Sequence, residues 1–345
     1  MTQATMPVAV YRGKGDIALD EKPVPTPGAG EVLVEVSHCG VCGTDIHMVL
    51  EGWGPPGIVG GHEWSGRIAA IGLEVDGWAV GDAVVGGELV GCGACRMCAS
   101  SRPSLCEDRP PVTGDGHDGA FAQFIVTAAA GLVPVHDGVS LRNAALTEPL
   151  AVAMHAVTQA AVRPGDRVLV TGAGPIGLLA AAALRACGVE DIVVSEPTKG
   201  RRERALAVGA ARAVEPTDLD KPLMPMDLVD EPMDAVLECS GRVEAMETGL
   251  GQLRRGGRLV FVGTGMSTPR LDNNRILLNE LVVTGAYNYD AGGFTAAIDL
   301  IASGQLPVDL LIEPDDIPLT GLLDAMHKLA AGELVAKVLV VPEGW

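Results

Sequence analysis

Aromatic side chains are scarce in this chain of 345 residues, which carries four Trp, three Tyr and four Phe. So few rings argue against a core of stacked aromatics. The 45 glycines and abundant Ala and Val instead suggest an α/β protein packed with small side chains. Basic residues are also in short supply: 25 Lys plus Arg stand against 44 Asp plus Glu, a net charge of −19. So negative a surface repels phosphate backbones, which argues against nucleic acid as a partner. No basic amphipathic helix marks a membrane surface, and no window reaches the roughly 18 uninterrupted apolar residues that a bilayer span needs. The opening Met-Thr-Gln-Ala-Thr-Met-Pro has neither the cationic start nor the apolar stretch of an export signal. Disulfide-type cysteine spacing is missing too, so a reducing cytoplasm is the expected location.

What the chain does have is four clustered cysteines. Cys92, Cys95, Cys98 and Cys106 lie in Gly-Cys-Gly-Ala-Cys-Arg-Met-Cys and the short loop after it. Two residues separate each of the first three, so the thiolates can converge on one point. Four sulfur donors with no position left open suit a tetrahedral structural zinc. Disulfides are the alternative, but C-x2-C pairs make poor unstrained bridges. Such a lobe depends on its metal to fold.

At this length two domains are expected. From about residue 8 to 150 the chain reads as short strands and turns, with strand patterns over 31–37, 65–71 and 80–85 and Gly or Pro in almost every gap. This is the texture of a small β-barrel. Near residue 150 it changes to buried strands alternating with helices, the signature of a doubly wound parallel sheet. Six strands are predicted there, at 167–171, 191–195, 211–214, 234–239, 258–262 and 281–284, with helices over 176–187 and 200–208. Prolines 222, 225 and 232 interrupt the segment 217–232, which is predicted to be irregular. The tail, with two helices and a final strand over 335–341, does not extend the six-strand series and is expected to rejoin the first domain. The boundaries expected are 1–152, 153–290 and 291–345.

The run Val168-Leu169-Val170 leads into Thr171-Gly172-Ala173-Gly174-Pro175-Ile176-Gly177 and then a helix. Gly172 permits a tight turn, Gly174 lets backbone approach a pyrophosphate, and Gly177 lets the helix pack on the strand. With Pro175 and Ile176, these residues place the helix N-terminus at the phosphates. Nineteen residues after Gly177 comes Glu196, at the end of the next strand and suited to ribose hydroxyls. A carboxylate there favours NAD, because it would repel the 2′-phosphate of NADP. Arg201 and Arg202 lie close enough in sequence to soften that preference.

Upstream stand Gly40-Val41-Cys42-Gly43-Thr44-Asp45-Ile46-His47 and Gly60-Gly61-His62-Glu63. Cys42 and His62 are residue types that open a catalytic zinc site, though spacing alone does not join them. Together with the four-cysteine lobe, the fingerprint, Val80-Gly81-Asp82 and Ala336-Lys337-Val338, these motifs resemble the zinc-containing medium-chain alcohol and polyol dehydrogenases. The resemblance covers essentially the whole chain and is nearest to the sorbitol, butanediol and threonine dehydrogenase branch. It implies a GroES-like β-barrel catalytic domain beside a Rossmann domain. It also implies a glutamate as third zinc ligand, here Glu148 of Thr147-Glu148-Pro149-Leu150, with Glu63 adjacent to the metal as a ligand or exchanging with bound water.

By the same resemblance, Asp45 would hydrogen-bond a ligand imidazole. Thr44 would hydrogen-bond the substrate oxygen, and His47 would pass its proton to solvent through the cofactor ribose. Each has a plainer reading: Thr44 as a turn hydroxyl, Asp45 as a helix cap, His47 as a surface histidine. The expected cofactors are a catalytic zinc, a structural zinc and NAD. The expected activity is hydride transfer between a secondary alcohol, such as a polyol or vicinal diol, and the nicotinamide ring, in a cleft that closes to shed water. An NADP-dependent ketone reductase, a zinc-free quinone reductase relative and a non-catalytic dinucleotide sensor are the alternatives. The retained Cys42, Thr44, His47, His62 and Glu148 favour the dehydrogenase. Met48, Trp53 and Tyr287 are candidates for the substrate pocket. The resemblance also implies a small-molecule alcohol or ketone substrate and a homodimer or homotetramer.

Overall fold

The computed structural model describes residues 4–86, 90–108, 112–113, 116–289 and 291–342. The chain divides into two compact units, one formed by Met1–Glu148, Asp290–Gly304 and Ile312–Trp345, the other by Pro149–Tyr289 and Gln305–Leu311.

The first unit is built on strands β1 (Thr5–Gly13), β2 (Asp16–Pro23), β3 (Glu31–Gly40), β4 (Glu63–Ile71), β5 (Ala83–Gly86), β6 (Phe124–Ala128) and β7 (Leu132–Pro134). Alternating valines explain the central strand: Val32, Val34 and Val36 of β3 have no exposed surface and share one core with Trp64, Ile68, Val84 and Ile125. Neighbouring side chains on a strand point to opposite faces, so this alternation turns one face of β3 inward. β3 pairs antiparallel with β4 and also with β6, while β4 continues through β5 to β7.

The second unit holds six parallel strands, β8 (Arg167–Thr171), β9 (Asp191–Ser195), β10 (Arg212–Val214), β11 (Met233–Glu238), β12 (Leu253–Phe261) and β13 (Val282–Gly285). Their order, β10-β9-β8-β11-β12-β13, is that of a doubly wound dinucleotide-binding sheet. The helix Pro175–Ala186 has an unbroken buried run from Gly177 to Leu184. Its alanines account for that, because small side chains let it lie close against the sheet. The crossover over 217–232 is irregular, as its prolines require: one short 3-10 turn, Pro216–Asp218, then bends and turns up to β11.

The tail returns to the first unit with β14 (Ile317–Pro318), the helix Leu322–Ala331 and β15 (Leu339–Val341). Leu322, Ala325, Met326 and Leu329 recur on one helical face and are buried, Lys328 stands in the last turn, and Gly332 ends the helix with φ of 77°. The final strand is shorter than the 335–341 predicted. The N–H groups of Val335 and Ala336 donate to Glu313 Oε1 at 2.8 and 2.7 Å, so a side chain replaces the ladder there. Among the described residues no helix is long and apolar enough to cross a membrane.

Candidate metal and dinucleotide sites

β3 ends at Gly40, and the chain then turns into a short helix, Gly43–Ile46, capped by Cys42. β4 starts at Glu63, with His62 just before it. Because Gly40 pairs with Glu63 across these two strands, the two motifs are brought to one place. Cys42 Sγ, a ring nitrogen of His62 and a Glu63 carboxylate oxygen all lie within 4.8 Å of one another. Glu148, in the first turn of the helix Thr147–Ala160, is not part of that set but interacts electrostatically with His62, Glu63, Lys337 and Asp45. Burial pushes the Glu148 carboxyl up to about 7, with Glu63 and Asp45 adding to the rise against His62 and Lys337. Burial works to keep His62 neutral, yet Cys42, Asp45 and Glu148 outweigh it and hold the ring protonated well above the usual histidine range.

Sulfur, imidazole and carboxylate make the donor set of a catalytic zinc, and the surplus of anions over His62 and Lys337 is a setting that favours a cation. The residues fit the metal. Asp45 does what its plainer reading says: its Oδ2 accepts from the Cys42 N–H at 2.9 Å, and its Oδ1 accepts from the Gly61 N–H at 3.3 Å. His62 Nδ1 is 4.0 Å from Asp45 Oδ1, outside hydrogen-bond range. Thr44 is exposed, two residues beyond Cys42. His47 is partly buried and stacks on the indole of Trp53.

Lys337 joins the site although its position in the sequence points to no role there. It is buried to 1% exposure, donates to Glu63 Oε1 at 2.7 Å and to the Val41 carbonyl at 3.1 Å, and stands 2.6 Å from Glu63 Oε2. A lysine inside the apolar run Val335–Val341 is the available signal, since a charge is buried only with a partner. Gly40 makes room for the pair: a Cβ there would sit 2.2 Å from Glu63 Oε2 and 3.1 Å from Lys337 Cδ.

The cysteine lobe also assembles. The sulfurs of Cys92, Cys95, Cys98 and Cys106 lie within 4.8 Å of one another, and all four cysteines are free. Cys95 and Cys106 are 3.9 Å apart, far beyond a disulfide bond and close to the edge of about 3.8 Å that a tetrahedron of zinc–sulfur bonds of about 2.3 Å would have. Backbone N–H groups of Cys92, Cys95 and Cys98 donate to Cys106, Cys92 and Cys95 sulfurs at 3.3, 3.4 and 3.4 Å. The Cys98 and Glu107 N–H groups lower the Cys95 thiol to about 6. Cys98 is pushed up to about 12: an N–H bond from Gly93 opposes the rise, but burial and the other sulfurs outweigh it.

In the second unit the fingerprint has the expected shape. Gly172 has φ of 88°, and a Cβ on Gly177 would sit 1.9 Å from the Gly172 carbonyl oxygen. A Cβ on Gly174 would enter open space, a cradle left for a ligand beside the uncapped N-terminus that opens at Pro175 and Ile176. Glu196 is buried at the end of β9, its two oxygens accepting from the Ala173 and Thr198 N–H groups at 2.9 Å each. The backbone around Gly174 therefore fits a pyrophosphate, while the Glu196 oxygens are held by the chain's own N–H groups. Arg201 lies in the helix Lys199–Ala207. Its neighbour Arg202 donates to the carbonyls of Glu196 and Pro197, each at 2.8 Å, and to Glu215 at 2.7 Å. A second acid, Glu238 at the end of β11, reads in sequence as an ordinary strand residue. It has no exposed surface and accepts from Ser240, Gly241 and Thr171, which fixes the loop against Gly172.

Residues 28–137 match the alcohol dehydrogenase GroES-like domain, and residues 175–303 match the zinc-binding dehydrogenase domain. The chain is 34% identical over 342 residues to a sorbitol dehydrogenase of Halalkalibacterium halodurans, covering 97% of this chain and 98% of that protein. The crystal structure of 2R,3R-butanediol dehydrogenase from Bacillus subtilis is 27% identical with a TM-score of 0.86, over 98% of this chain and 100% of that one. Acetophenone reductase from Geotrichum candidum, in complex with NAD, is 25% identical with a TM-score of 0.86, over 99% of this chain and 98% of that one. With the barrel, the doubly wound sheet and both donor sets in place, this chain belongs to the zinc-dependent medium-chain alcohol and polyol dehydrogenase family.

Proposed function

We propose that the chain transfers hydride between a secondary alcohol of the polyol or vicinal-diol kind and NAD, using zinc held by Cys42, His62 and Glu148. The observation that carries this reading is the convergence of Cys42, His62 and Glu63 within 4.8 Å, with Glu148 electrostatically coupled to them. When bound, zinc supplies Lewis acidity toward a hydroxyl oxygen and the nicotinamide ring accepts the hydride.

Both oxygens of Glu63 face the Lys337 ammonium, at 2.7 and 2.6 Å, which favours Glu148 over Glu63 as the standing acidic ligand. Thr44 orients the substrate hydroxyl, and His47 takes up its proton and releases it to water. Glu196 binds ribose hydroxyls, and the engagement of Arg202 by Glu196, Pro197 and Glu215 supports NAD over NADP. The four-cysteine lobe holds a structural zinc. The relatives named for sorbitol and 2R,3R-butanediol point to adjacent hydroxyls in the substrate. The same reading takes the protein to be an even homo-oligomer of a reducing cytoplasm, in keeping with its free thiols.

The test is initial rates across vicinal diols, sugar alcohols, L-threonine and simple secondary alcohols, each with NAD and with NADP. Turnover of one hydroxylated class with NAD, abolished by a zinc chelator, is the expected result. Chelator-insensitive turnover, or none with zinc and NAD shown bound, would defeat the proposal.

A further inference from the structure

We infer that Glu51 and Trp53 are positioning residues that clamp His47 for proton relay, an inference that rests on the relay role given to His47 above. His47 opens a five-residue π-helical turn, His47–Glu51. Such turns are rare and concentrate at functional sites. Gly52 closes it with φ of 86°, and its N–H donates to the His47 carbonyl. The widened turn brings two side chains onto one ring. Glu51 Oε1 lies 2.9 Å from His47 Nδ1. The indole of Trp53 lies flat against the imidazole, with centroids 4.4 Å apart and planes 8° from parallel.

The consequence is a ring whose two nitrogens differ. Nδ1 has no solvent-exposed surface, and Glu51 Oε1 is close to it but off the line of an ideal hydrogen bond. The His47 side chain nevertheless keeps 23% exposure, which therefore belongs to atoms other than Nδ1. Of the two nitrogens, Nε2 is the one left to exchange protons with water. A histidine on an open turn would sample several rotamers and both tautomers. Stacking on Trp53 removes rotamers, and a carboxylate at Nδ1 favours the proton there, leaving the lone pair on Nε2.

The proton balance is simple. A proton from the substrate side arrives at Nε2 while Nδ1 keeps its own, so the ring becomes an imidazolium beside the Glu51 carboxylate. The Nε2 proton then leaves to water and the neutral ring returns. Glu51 takes no proton in this step, and Trp53 holds the plane. Among the described residues, the elements packed against this turn carry Lys14, whose stem lies under Gly52 and whose neighbour Gly15 donates to the Val49 carbonyl, Asp45 on the preceding helix, and Asp16, Asp20, Glu21 and Lys22 on β2.

The experiment compares Glu51→Ala, Glu51→Gln, Trp53→Leu and His47→Gln in the zinc-loaded enzyme with NAD and an alcohol substrate. Glu51→Ala and Trp53→Leu are expected to lower kcat by about tenfold near pH 6.5, with the KM for NAD unchanged. The loss should shrink toward about pH 9, where hydroxide takes the proton directly. Glu51→Gln keeps an acceptor oxygen at Nδ1 and should restore part of the rate. The 15N spectrum of His47 should show one tautomer in the parent and a mixture in Glu51→Ala. A loss that does not change with pH, or an unaltered 15N signature, overturns the clamp. If His47→Gln slows turnover while the other variants do not, the clamp alone fails. If His47→Gln leaves rate and pH profile intact, the relay reading itself falls.

Discussion

Lys337 and Glu63 set the electrostatics of the metal site from below. At 1% and 0% side-chain exposure they form a buried pair, and removing one partner leaves the other charge without compensation. Lys337→Met is therefore expected to cost about 3–5 kcal/mol of stability, read from the urea midpoint at fixed zinc. Adding Glu63→Gln should recover much of it; equal losses in the single and double variants would show that the pair is not the cause. Glu148 gives a pH prediction. In the apoprotein its carboxyl holds a proton up to about 7 rather than the ordinary 4.5, so zinc must displace that proton. Zinc affinity should rise with pH across that window and keep rising above it, where His62 must also give up its proton. The sign for the apoprotein's own stability is opposite: a raised carboxyl contributes stability below 4.5 that is lost as pH climbs through about 7. An affinity flat between these values would remove Glu148 from the ligand set. Neither role of Lys337 was legible in the sequence, because its partner lies 274 residues away and only the tail's return to the first unit unites them.

Elements repay sequence reading unevenly, and the reason is local versus long-range determination. The strands Arg167–Thr171 and Asp191–Ser195 stand where predicted, since continuous Val, Ile and Leu runs flanked by Gly or Asp have few other homes. β15 is shorter than its sequence pattern because Val335 and Ala336 look like strand but satisfy their N–H groups on Glu313. The π-helical turn at His47 has no sequence signature at all. At the fingerprint, where spacing was informative, Gly177→Ala makes a sharp prediction. The added Cβ would collide with the Gly172 carbonyl, so the helix Pro175–Ala186 must shift and NAD affinity should fall by about tenfold or more, read by fluorescence titration. Unchanged NAD affinity would mean that the helix N-terminus does not bind the pyrophosphate.

Across the whole molecule, the charge of −19 acts on every anionic ligand that approaches. NADP, with its extra phosphate, is repelled more strongly than NAD, and salt screens the difference. The ratio of NADP to NAD KM values should fall as ionic strength rises, while a salt-independent ratio would assign the discrimination to Glu196 alone. The central claim is that two different zinc sites, one catalytic and one structural, occupy the first unit. The most direct measurement is the zinc content of the parent and of Cys42→Ala and Cys98→Ala, taken with turnover and NAD affinity on the same samples. The parent should hold about two zinc ions per chain and Cys42→Ala about one, with turnover abolished and NAD affinity intact. Cys98→Ala should also lose one, with lowered thermal stability as the main effect. A Cys42→Ala protein that kept both metals, or near-normal turnover, would contradict the account.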